Sequence, residues 1–238
     1  DAGTNWTVGN GLTRTSLYAL AVAPGGGTIF AGADDETAGG VFRSLVGGNS
    51  WISSASGIAD SRVHALVIDP ATPTTIYAGS RTLGVYKSVN GGSTWTATSL
   101  NNVFVTALAI DPATPTIVYA GTDAGGIYKT INGGTSWFAV NSGLATSSVR
   151  TIVVDVNAPA TIFAATSAGI YKSSNAGLTW VASSSGLFDP DVNALVVDPR
   201  NSNLVFAGTN SAGVFRSSNG GGLWTASSGG LTGPSGAV

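Results

Sequence analysis

The stretch Val85-Tyr86-Lys87-Ser88-Val89-Asn90-Gly91-Gly92-Ser93-Thr94-Trp95 decides the fold, because variants of it recur along the whole chain. Asn90-Gly91-Gly92 supplies the positive φ angles that a tight hairpin requires. The stretch therefore predicts a strand, a turn (here called the glycine turn) and a strand that opens with tryptophan, whose ring we expect to cover the turn. The other copies lie at residues 41–51, 127–137, 170–180 and 214–224.

The tryptophans set the period of the repeat. Successive ones are 45, 44, 42, 43 and 44 residues apart, and all six are Trp6, Trp51, Trp95, Trp137, Trp180 and Trp224. Self-similarity with a period of about 40–50 residues is typical of propellers and solenoids. We expect a single domain over residues 1–238 with five units, at 7–51, 52–95, 96–137, 138–180 and 181–224, and with 225–238 as a tail or the start of another unit.

One unit is enough to predict the strands. Residues 63–68 form an almost entirely apolar run, which is typical of a strand buried on both faces. Residues 69–73 contain two prolines, which cannot lie in a central strand, so this segment is a turn. Residues 75–79, 84–88 and 95–98 supply three more short strands. Because four antiparallel strands make a blade, the sequence predicts an all-β propeller of four-stranded antiparallel blades, with five units in this chain.

Both ends of the chain resemble the fourth strand of a unit. One copy lies around Trp6 and the other around Trp224, whereas a closed five-blade ring needs only one of them. Three interpretations stay open. The units belong to a longer array, the N-terminal strand pairs with another molecule, or one terminal copy is a loose cap.

The glycine turns resemble the Asp-box (BNR) repeat of sialidase-like propellers, whose pattern is Ser-x-Asp-x-Gly-x-Thr-Trp. In the quoted copy the matching residues are Ser88, Asn90, Gly92, Thr94 and Trp95. Asparagine takes the aspartate position in four copies, as Asn90, Asn132, Asn175 and Asn219. The resemblance implies a propeller with structural turns. Since asparagine keeps the acceptor oxygen but lacks the charge, no metal is expected there.

Residues 111–122 also resemble the repeats of xyloglucan-degrading hydrolases and of photosystem II assembly-factor propellers. No catalytic residue is carried over from these families. The sialidase family uses an arginine triad, a tyrosine with a glutamate, and an aspartate. Glu36 is the only glutamate in this chain, which argues against sialidase activity.

The composition narrows the function classes. Only 9% of the 238 residues are charged and the net charge is −2, so the basic footprint of a nucleic-acid-binding protein is missing. The absence of cysteine excludes a disulfide scaffold and thiol chemistry. No apolar run reaches the roughly 18–20 residues of a membrane span, so membrane insertion is not expected. Low charge and many hydroxyl groups favour a secreted or cell-surface protein, with the periplasm as an alternative, and no cofactor is expected.

Function is expected where single units depart from the repeat, on the propeller face that carries the fourth-to-first and second-to-third loops. Departures at the first kind of loop are Arg14, Arg62, His64, Phe104, Arg150, Asp189 and Asp191. The second kind of loop adds Asp34, Asp35, Glu36, Arg81 and Asp123. We expect these residues to bind a glycan or a protein.

Two of these groups allow sharper hypotheses. The acidic run Asp34-Asp35-Glu36 could bind Ca²⁺ or supply a glycosidase carboxylate pair, but a solvated loop is the favoured interpretation. His64 is the only histidine, and a single histidine has no partner for a metal site. We therefore expect His64 to pack or to line the central channel, with no metal bound.

The sequence thus favours a non-catalytic binding or structural module of a secreted or cell-surface protein, which engages a glycan or a protein through its loops. Assembly into a homo-oligomer through the terminal strands is a further expectation. The alternative is a sialidase-like or xyloglucanase-like glycoside hydrolase, or a fragment of one, acting through Asp34, Asp35 or Asp191. A third hypothesis is an assembly chaperone that binds a membrane complex.

Overall fold

The computed structural model describes residues 9–12, 16–34 and 40–229. These residues form twenty β-strands in five antiparallel sheets, and each sheet consists of four strands that follow one another in the chain. The chain is therefore an all-β propeller structure in which each sheet is one blade, as the sequence predicts. The blades are numbered 1 to 5 in chain order.

The strand bounds follow the repeat. Blade 1 contains β1 (Ser16–Val22), β2 (Ile29–Asp34), β3 (Gly40–Ser44) and β4 (Ile52–Ser53). Blade 2 contains β5 (Val63–Ile68), β6 (Ile76–Ser80), β7 (Val85–Ser88) and β8 (Thr96–Ala97). Blade 3 contains β9 (Val105–Ile110), β10 (Val118–Thr122), β11 (Ile127–Thr130) and β12 (Phe138–Ala139). Blade 4 contains β13 (Val149–Val154), β14 (Ile162–Thr166), β15 (Gly169–Ser173) and β16 (Val181–Ala182). Blade 5 contains β17 (Val192–Asp198), β18 (Asn201–Thr209), β19 (Val214–Ser217) and β20 (Thr225–Ala226).

The first strands of the blades line the inner side of the array. Strands β1, β5, β9, β13 and β17 pack against one another in that order. Within the described residues, β17 does not pack against β1 as the other neighbours do. The apolar side chain of Leu20 in β1 is accordingly 65% exposed. The five described blades therefore form an open arc with two end faces.

An aromatic side chain from the second strand packs beneath the glycine turn of the next blade. Phe30 of blade 1 is 1% exposed, and a methyl group added at Gly92 of blade 2 would lie 2.7 Å from its Cε1 atom. Gly92 also has a φ of +78°, a conformation that strongly favours glycine. The same arrangement pairs Tyr77 with Gly134, Tyr119 with Gly177 and Phe163 with Gly221.

Each glycine turn is held by its own hydroxyl and amide side chains. The Ser88 hydroxyl accepts hydrogen bonds from the N–H groups of Asn90 and Gly92, at 3.4 and 2.9 Å. Asn90 Oδ1 accepts from the N–H of Thr94 at 2.9 Å, and the Asn90 amide donates to the Thr94 hydroxyl at 2.8 Å. In the first copy Val46 replaces the asparagine, and the hydroxyl bonds of that turn are kept. The asparagine Oδ1 bond to the main chain recurs in the turns of Asn132, Asn175 and Asn219.

Three tryptophans reach across to the preceding blade instead of covering only their own turn. Their Nε1–H groups donate to main-chain carbonyl oxygens of that blade at 2.6–2.8 Å. Their indoles are only 1–3% exposed. The ring therefore joins two blades as well as closing a hairpin. The three residues are Trp95, Trp180 and Trp224.

The remaining tryptophans depart from this pattern. Trp51 donates to the carbonyl of Gly48 in its own turn, at 3.0 Å. The Nε1 of Trp137 is buried and has no hydrogen-bond partner in the described part of the chain. Trp6 lies outside the described residues. The indole therefore bonds to the preceding blade in only some copies of the repeat.

A long cationic side chain on the third strand ties each of the first four blades to the next one. These side chains donate to carbonyl oxygens of the following glycine turn at 2.7–2.9 Å. The three lysines also lie 5.3 Å from the centroid of a second-strand aromatic ring, within the range of cation–π attraction. Burial lowers the pKa of Lys129 from 10.5, which the charge of Asp111 partly opposes. The four residues are Arg43, Lys87, Lys129 and Lys172.

Candidate functional site

A β-bulge near the start of every first strand displays one variable side chain per blade. The pairing of the first strand with the second skips a single residue in each of the five blades. Bulges often re-aim a side chain beside a functional site. We refer to the skipped residues as the five bulge residues, and they are Tyr18, His64, Thr106, Arg150 and Asn193.

Tyr18, His64 and Phe104 form an aromatic cluster that spans blades 1 to 3. The ring of Tyr18 stacks on the imidazole of His64, with centroids 4.2 Å apart and planes inclined by 8°. Phe104 meets the same imidazole edge-on, at a centroid distance of 5.1 Å. Tyr18 is 57% exposed. The face of its ring that points away from His64 is therefore open to a ligand.

The imidazole of His64 is held by a carboxylate of the neighbouring blade. Asp34 Oδ2 lies 2.9 Å from His64 Nε2 and 3.4 Å from Arg81 Nη1. The Asp34 and His64 side chains are mostly buried, whereas the Arg81 side chain is 47% exposed. The Arg81 guanidinium carbon also lies 5.8 Å from the centroid of the Phe104 ring. The Asp34 carboxylate thus has two cationic or polar partners, which fix it in place.

Arg150 forms the charged centre at the other end of the row of bulge residues. Its guanidinium pairs with Asp191 and lies 3.3 Å from Oδ1 of Asn193. About a third of each side chain in the ion pair is exposed, at 35% and 37%. Both side chains can therefore form hydrogen bonds with a ligand from the positions that they occupy in the ion pair.

These side chains border a groove of about 300 Å³ that runs across the first strands. We call it the inner groove. Four of the five bulge residues line it, namely Tyr18, Thr106, Arg150 and Asn193, together with apolar residues such as Leu66 and Leu108. Polar groups that converge on one groove can fix the orientation of a ligand.

Two buried aspartates brace the loops of the same face. Oδ2 of Asp189 accepts the N–H and the hydroxyl of Ser211, at 2.8 and 2.7 Å. Asp60 has the same relationship to Thr82 in blade 2. The hydrogen bonds from Ser211 hold the pKa of Asp189 below 3.8. Burial acts to raise the pKa of Asp60, but hydrogen bonds from Thr82 and Arg62 outweigh it and lower the pKa below 3.8.

The two kinds of loop meet on one face, as the sequence predicts. The N–H of Arg81 donates to the carbonyl of Arg62 at 2.9 Å, and the N–H of Asp123 donates to the carbonyl of Phe104 at 3.1 Å. Arg62 itself pairs with Asp60, with Nε 3.3 Å from Oδ1. These contacts join the two kinds of loop. The role of each residue in binding stays a prediction.

The predicted binding residues are not all in one place. Asp34, His64, Arg81 and Phe104 form one group, and Arg150 with Asp191 forms another. Asp123 is exposed beside Phe104 and lines a separate hollow of about 330 Å³. Asp189 is bonded by Ser211 of the loop between β18 and β19, and Arg62 is paired with Asp60. The remaining predicted residues, Arg14, Asp35 and Glu36, lie outside the described residues.

Three of the bulge residues were not among the predicted binding residues. Tyr18, Thr106 and Asn193 follow the first valine or leucine of their strands. Alignment of the five units shows a different residue at this position in every unit, whereas the preceding position holds only valine or leucine and the following one only alanine or threonine. This variation between units was the signal in the sequence that could have identified these residues as candidates for binding. The bulge was not predictable, because an alternating pattern assigns each residue to one face of a regular strand.

These groups offer aromatic, ionic and hydrogen-bonding contacts to a ligand. No three His, Cys, Asp or Glu side chains in the described ranges are grouped as a metal ion would require. A glycosidase needs two carboxyl groups that flank the scissile bond, and both Asp34 and Asp191 are paired with cationic groups. Among the described residues there is no helix that is long and apolar enough to cross a membrane.

No protein-family model matches the chain, and no curated protein matches its sequence. Solved structures do match. An ancestral GH74 enzyme is 21% identical over 96% of this chain and 33% of its own, with a TM-score of 0.77. YCF48, solved bound to a D1 peptide, is 15% identical over 89% of this chain and 66% of its own, with a TM-score of 0.62. The extracellular domain of BT4673 from B. thetaiotaomicron is 16% identical over 89% of this chain and 27% of its own, with a TM-score of 0.67.

These similarities establish the β-propeller fold. The identities of 15–21% are too low to carry an activity from one protein to another. The chain also spans only 33% of the length of the GH74 enzyme. The structures that share the fold include an enzyme, a peptide-bound protein and an extracellular domain.

Proposed function

We propose that the chain is a non-catalytic binding module of a secreted or cell-surface protein, and that it engages a glycan or a protein along the inner groove. The observation that carries the proposal is the row of five bulge residues. One nearly constant strand presents a phenol, an imidazole, a hydroxyl, a guanidinium and an amide in successive blades. Packing alone does not require five different chemistries at one equivalent position.

The inner groove offers different contacts at its two ends. At one end, the open face of Tyr18 can stack on a sugar ring or on an aromatic side chain. At the other end, Arg150 and Asn193 can bond to hydroxyl, amide or carboxylate groups. Leu66 and Leu108 line the same groove and provide apolar contacts. An extended ligand that crosses several blades would use all of these groups at once.

The similar structures support a binding role in an extracellular setting. YCF48 was solved with a bound peptide, and the BT4673 domain is extracellular. We further propose that the glycine turns are Asp-box repeats, on the basis of the hydroxyl and asparagine bonds that close them. These turns are structural parts of a single domain over residues 1–238, and ligand binding belongs to the bulge residues.

Binding to a glycan array and to a library of extended peptides tests the proposal. Tyr18→Ala and Arg150→Ala should each weaken binding of any ligand found by about tenfold or more, because a stacking or charged contact of 1–2 kcal/mol is lost. Arg200→Ala is the matched control, since Arg200 is exposed in the turn between β17 and β18. Equal losses of affinity in all three variants, or no ligand from either collection, would count against ligand binding in the inner groove.

A glycoside hydrolase, or part of one, is the second candidate. It is favoured by the hydrogen-bonded pair of Asp34 and His64 beside the groove and by the shared fold of a GH74 enzyme. Asp35 and Asp191 are the other carboxylates proposed for this role. Release of reducing sugar from xyloglucan and sialosides that is abolished by Asp34→Asn and Asp191→Asn would establish this alternative. If the wild-type chain releases no sugar from xyloglucan or sialosides, the result supports the binding module instead.

A further inference from the structure

Every interface between successive blades repeats the same complementary contacts. An aromatic ring packs under the next glycine turn, and a cation bonds to that turn, as described above. A third contact lies at the inner edge of the first three interfaces, where a valine of the new blade fills the space beside a glycine of the blade before. In blade 4, Ala165 takes the position of this glycine. A methyl group added at that glycine would lie 2.5–3.0 Å from the valine side chain in the pairs Gly32 and Val63, Gly79 and Val105, and Gly121 and Val149.

Blade 5 presents one half of this interface, and none of the other blades formed by residues 9–12, 16–34 and 40–229 packs against that side. We define its trailing face by Val196, Phe206, Gly208 and Arg216. Val196 is 53% exposed, and Phe206 is only partly buried, unlike its counterparts in the other blades. A methyl group added at Gly208 would meet only Ala194, at 3.6 Å. The Arg216 side chain is exposed, and within the described residues its guanidinium has no bond to a glycine turn.

Blade 1 presents the other half. We define its leading face by Leu17, Leu20, Val22 and Gly48. The three apolar side chains are 42%, 65% and 61% exposed. The valines that occupy the position of Leu17 in blades 2 to 5 are all 0% exposed. A methyl group added at Gly48 would meet atoms of its own blade only, at 3.8 and 4.0 Å.

We propose that a second copy of this chain docks head to tail, with the leading face of one copy on the trailing face of the other. In this arrangement Leu17 fills the space beside Gly208, and Phe206 packs beneath Gly48. Arg216 reaches the carbonyl groups of the same glycine turn. Each of these contacts reproduces one that already occurs between blades inside the chain.

A second copy is the partner that these two faces specify. A partner that reproduces the internal contacts on blade 5 needs a glycine turn with a carbonyl group for Arg216. It also needs an apolar side chain placed as on the first strand of a blade. Blade 1 carries both, and this chain carries both halves. The net charge of −2 gives little long-range repulsion between copies. Because the two faces differ, docking is heterologous, and repetition closes a ring or extends a filament.

Sedimentation velocity of the unliganded chain over a wide concentration range tests this proposal. The expected result is assembly into multiples of 23.6 kDa that dissociate on dilution. Val22→Glu and Arg216→Glu should each weaken the association roughly tenfold or more, because each buries an unpaired charge in the contact. Val89→Glu is the matched control, since Val89 is 66% exposed in a turn of blade 2 and lies outside both faces.

Mixing the variants distinguishes head-to-tail docking from a symmetric contact. The Val22→Glu chain keeps an intact trailing face and the Arg216→Glu chain keeps an intact leading face. An equimolar mixture should therefore form a heterodimer at concentrations at which each variant alone associates more weakly than the wild type. A wild-type chain that stays monomeric at every concentration, or an association that Arg216→Glu leaves unchanged, overturns the proposal. Circular dichroism verifies folding of each variant. Arg150→Ala, which changes the inner groove, should assemble like the wild type. A failure of head-to-tail docking can therefore be told apart from a failure of ligand binding in the inner groove.

Discussion

The ammonium nitrogen of Lys87 lies 2.9 Å from the carbonyl oxygen of Gly133, which belongs to the next blade. The same nitrogen lies 5.3 Å from the centroid of the Tyr77 ring. The cation is therefore held between an aromatic face of its own blade and the glycine turn of its neighbour. Hydrogen bonds of charged groups contribute more to stability than neutral ones, so this contact should be one of the stronger links between blades.

Replacement of Lys87 by methionine should lower the free energy of unfolding by about 1–2 kcal/mol, because the charge-assisted bond to the turn is lost while most of the side-chain volume is kept. Arg216→Met is the matched control, since Arg216 occupies the same repeat position but is exposed and, within the described residues, bonds to no glycine turn. Its effect should stay within about 0.5 kcal/mol. Urea unfolding in dilute protein measures both, and similar losses for the two variants would show that the inter-blade bond is not the cause.

The tryptophans allow a second comparison. Trp95→Phe removes the Nε1–H group that donates to the carbonyl of Ser54 at 2.7 Å, and it leaves that buried oxygen without a donor. Trp137→Phe removes an Nε1–H group that is buried without a partner in the described residues. Both changes shrink the ring, but only the first breaks a bond. Trp95→Phe should therefore be more destabilising than Trp137→Phe by about 1–2 kcal/mol.

Thermal unfolding of the two tryptophan variants under the same conditions gives this difference directly. The loss of stability relative to the wild type is measured for each variant. In the difference between the two losses, the cost of the smaller ring cancels in part. A larger loss for Trp137→Phe would mean that ring packing outweighs the hydrogen bond at these positions.

The glycine turns predict the effect of charge at the asparagine position. Asn90→Asp keeps the acceptor oxygen that the N–H of Thr94 uses at 2.9 Å, so stability should change by no more than about 0.5 kcal/mol. Asn90→Ala removes the acceptor and should cost about 1 kcal/mol. Val46→Asn, in the copy that lacks the asparagine, should stabilise the chain by up to about 1 kcal/mol. Equal losses for Asn90→Asp and Asn90→Ala would assign the stabilisation to the amide donor instead.

Most of the fold was predictable because its signals are local. The Asn-Gly-Gly turns and the tryptophan period define each hairpin, and the predicted strand 63–68 coincides with β5. The packing of the second-strand aromatic residues between blades also has a signal in the repeat. Phe30 shows why, since an aromatic residue that recurs at one position of each unit must meet the same neighbour each time.

The site was predictable only in part, because its geometry depends on how blades meet. Asp34 and His64 are 30 residues apart in sequence and become bonded only when blade 2 packs on blade 1. The bulge at Tyr18 depends on strand pairing, which the apolar pattern does not reveal. The exposed end faces depend on the angle between successive blades, and no single unit encodes that angle.

The buried tyrosines predict a loss of stability in alkaline solution. Burial, with a smaller contribution from the charge of Asp69, raises the pKa of Tyr77 to about 12, and burial with the charge of Asp111 raises the pKa of Tyr119 as well. Above a pH of about 10 the unfolded chain releases its phenol protons while the folded chain keeps them. The unfolded state then binds fewer protons, so stability falls as pH rises. For Tyr77 the fall should extend from about pH 10 to about pH 12.

Tyr77→Phe should make this fall less steep, by up to about 1.4 kcal/mol per pH unit, because the ring stays buried but no longer carries a phenol proton. Urea unfolding at a series of pH values above 9 measures the slope, and ultraviolet absorbance of tyrosinate shows when the phenols ionise. Wild type and variant should have comparable slopes below the unfolded pKa of tyrosine and should diverge above it. Parallel curves over the whole range would show that Tyr77 ionises equally in both states, and that its burial beneath the turn of blade 3 does not keep its proton in place.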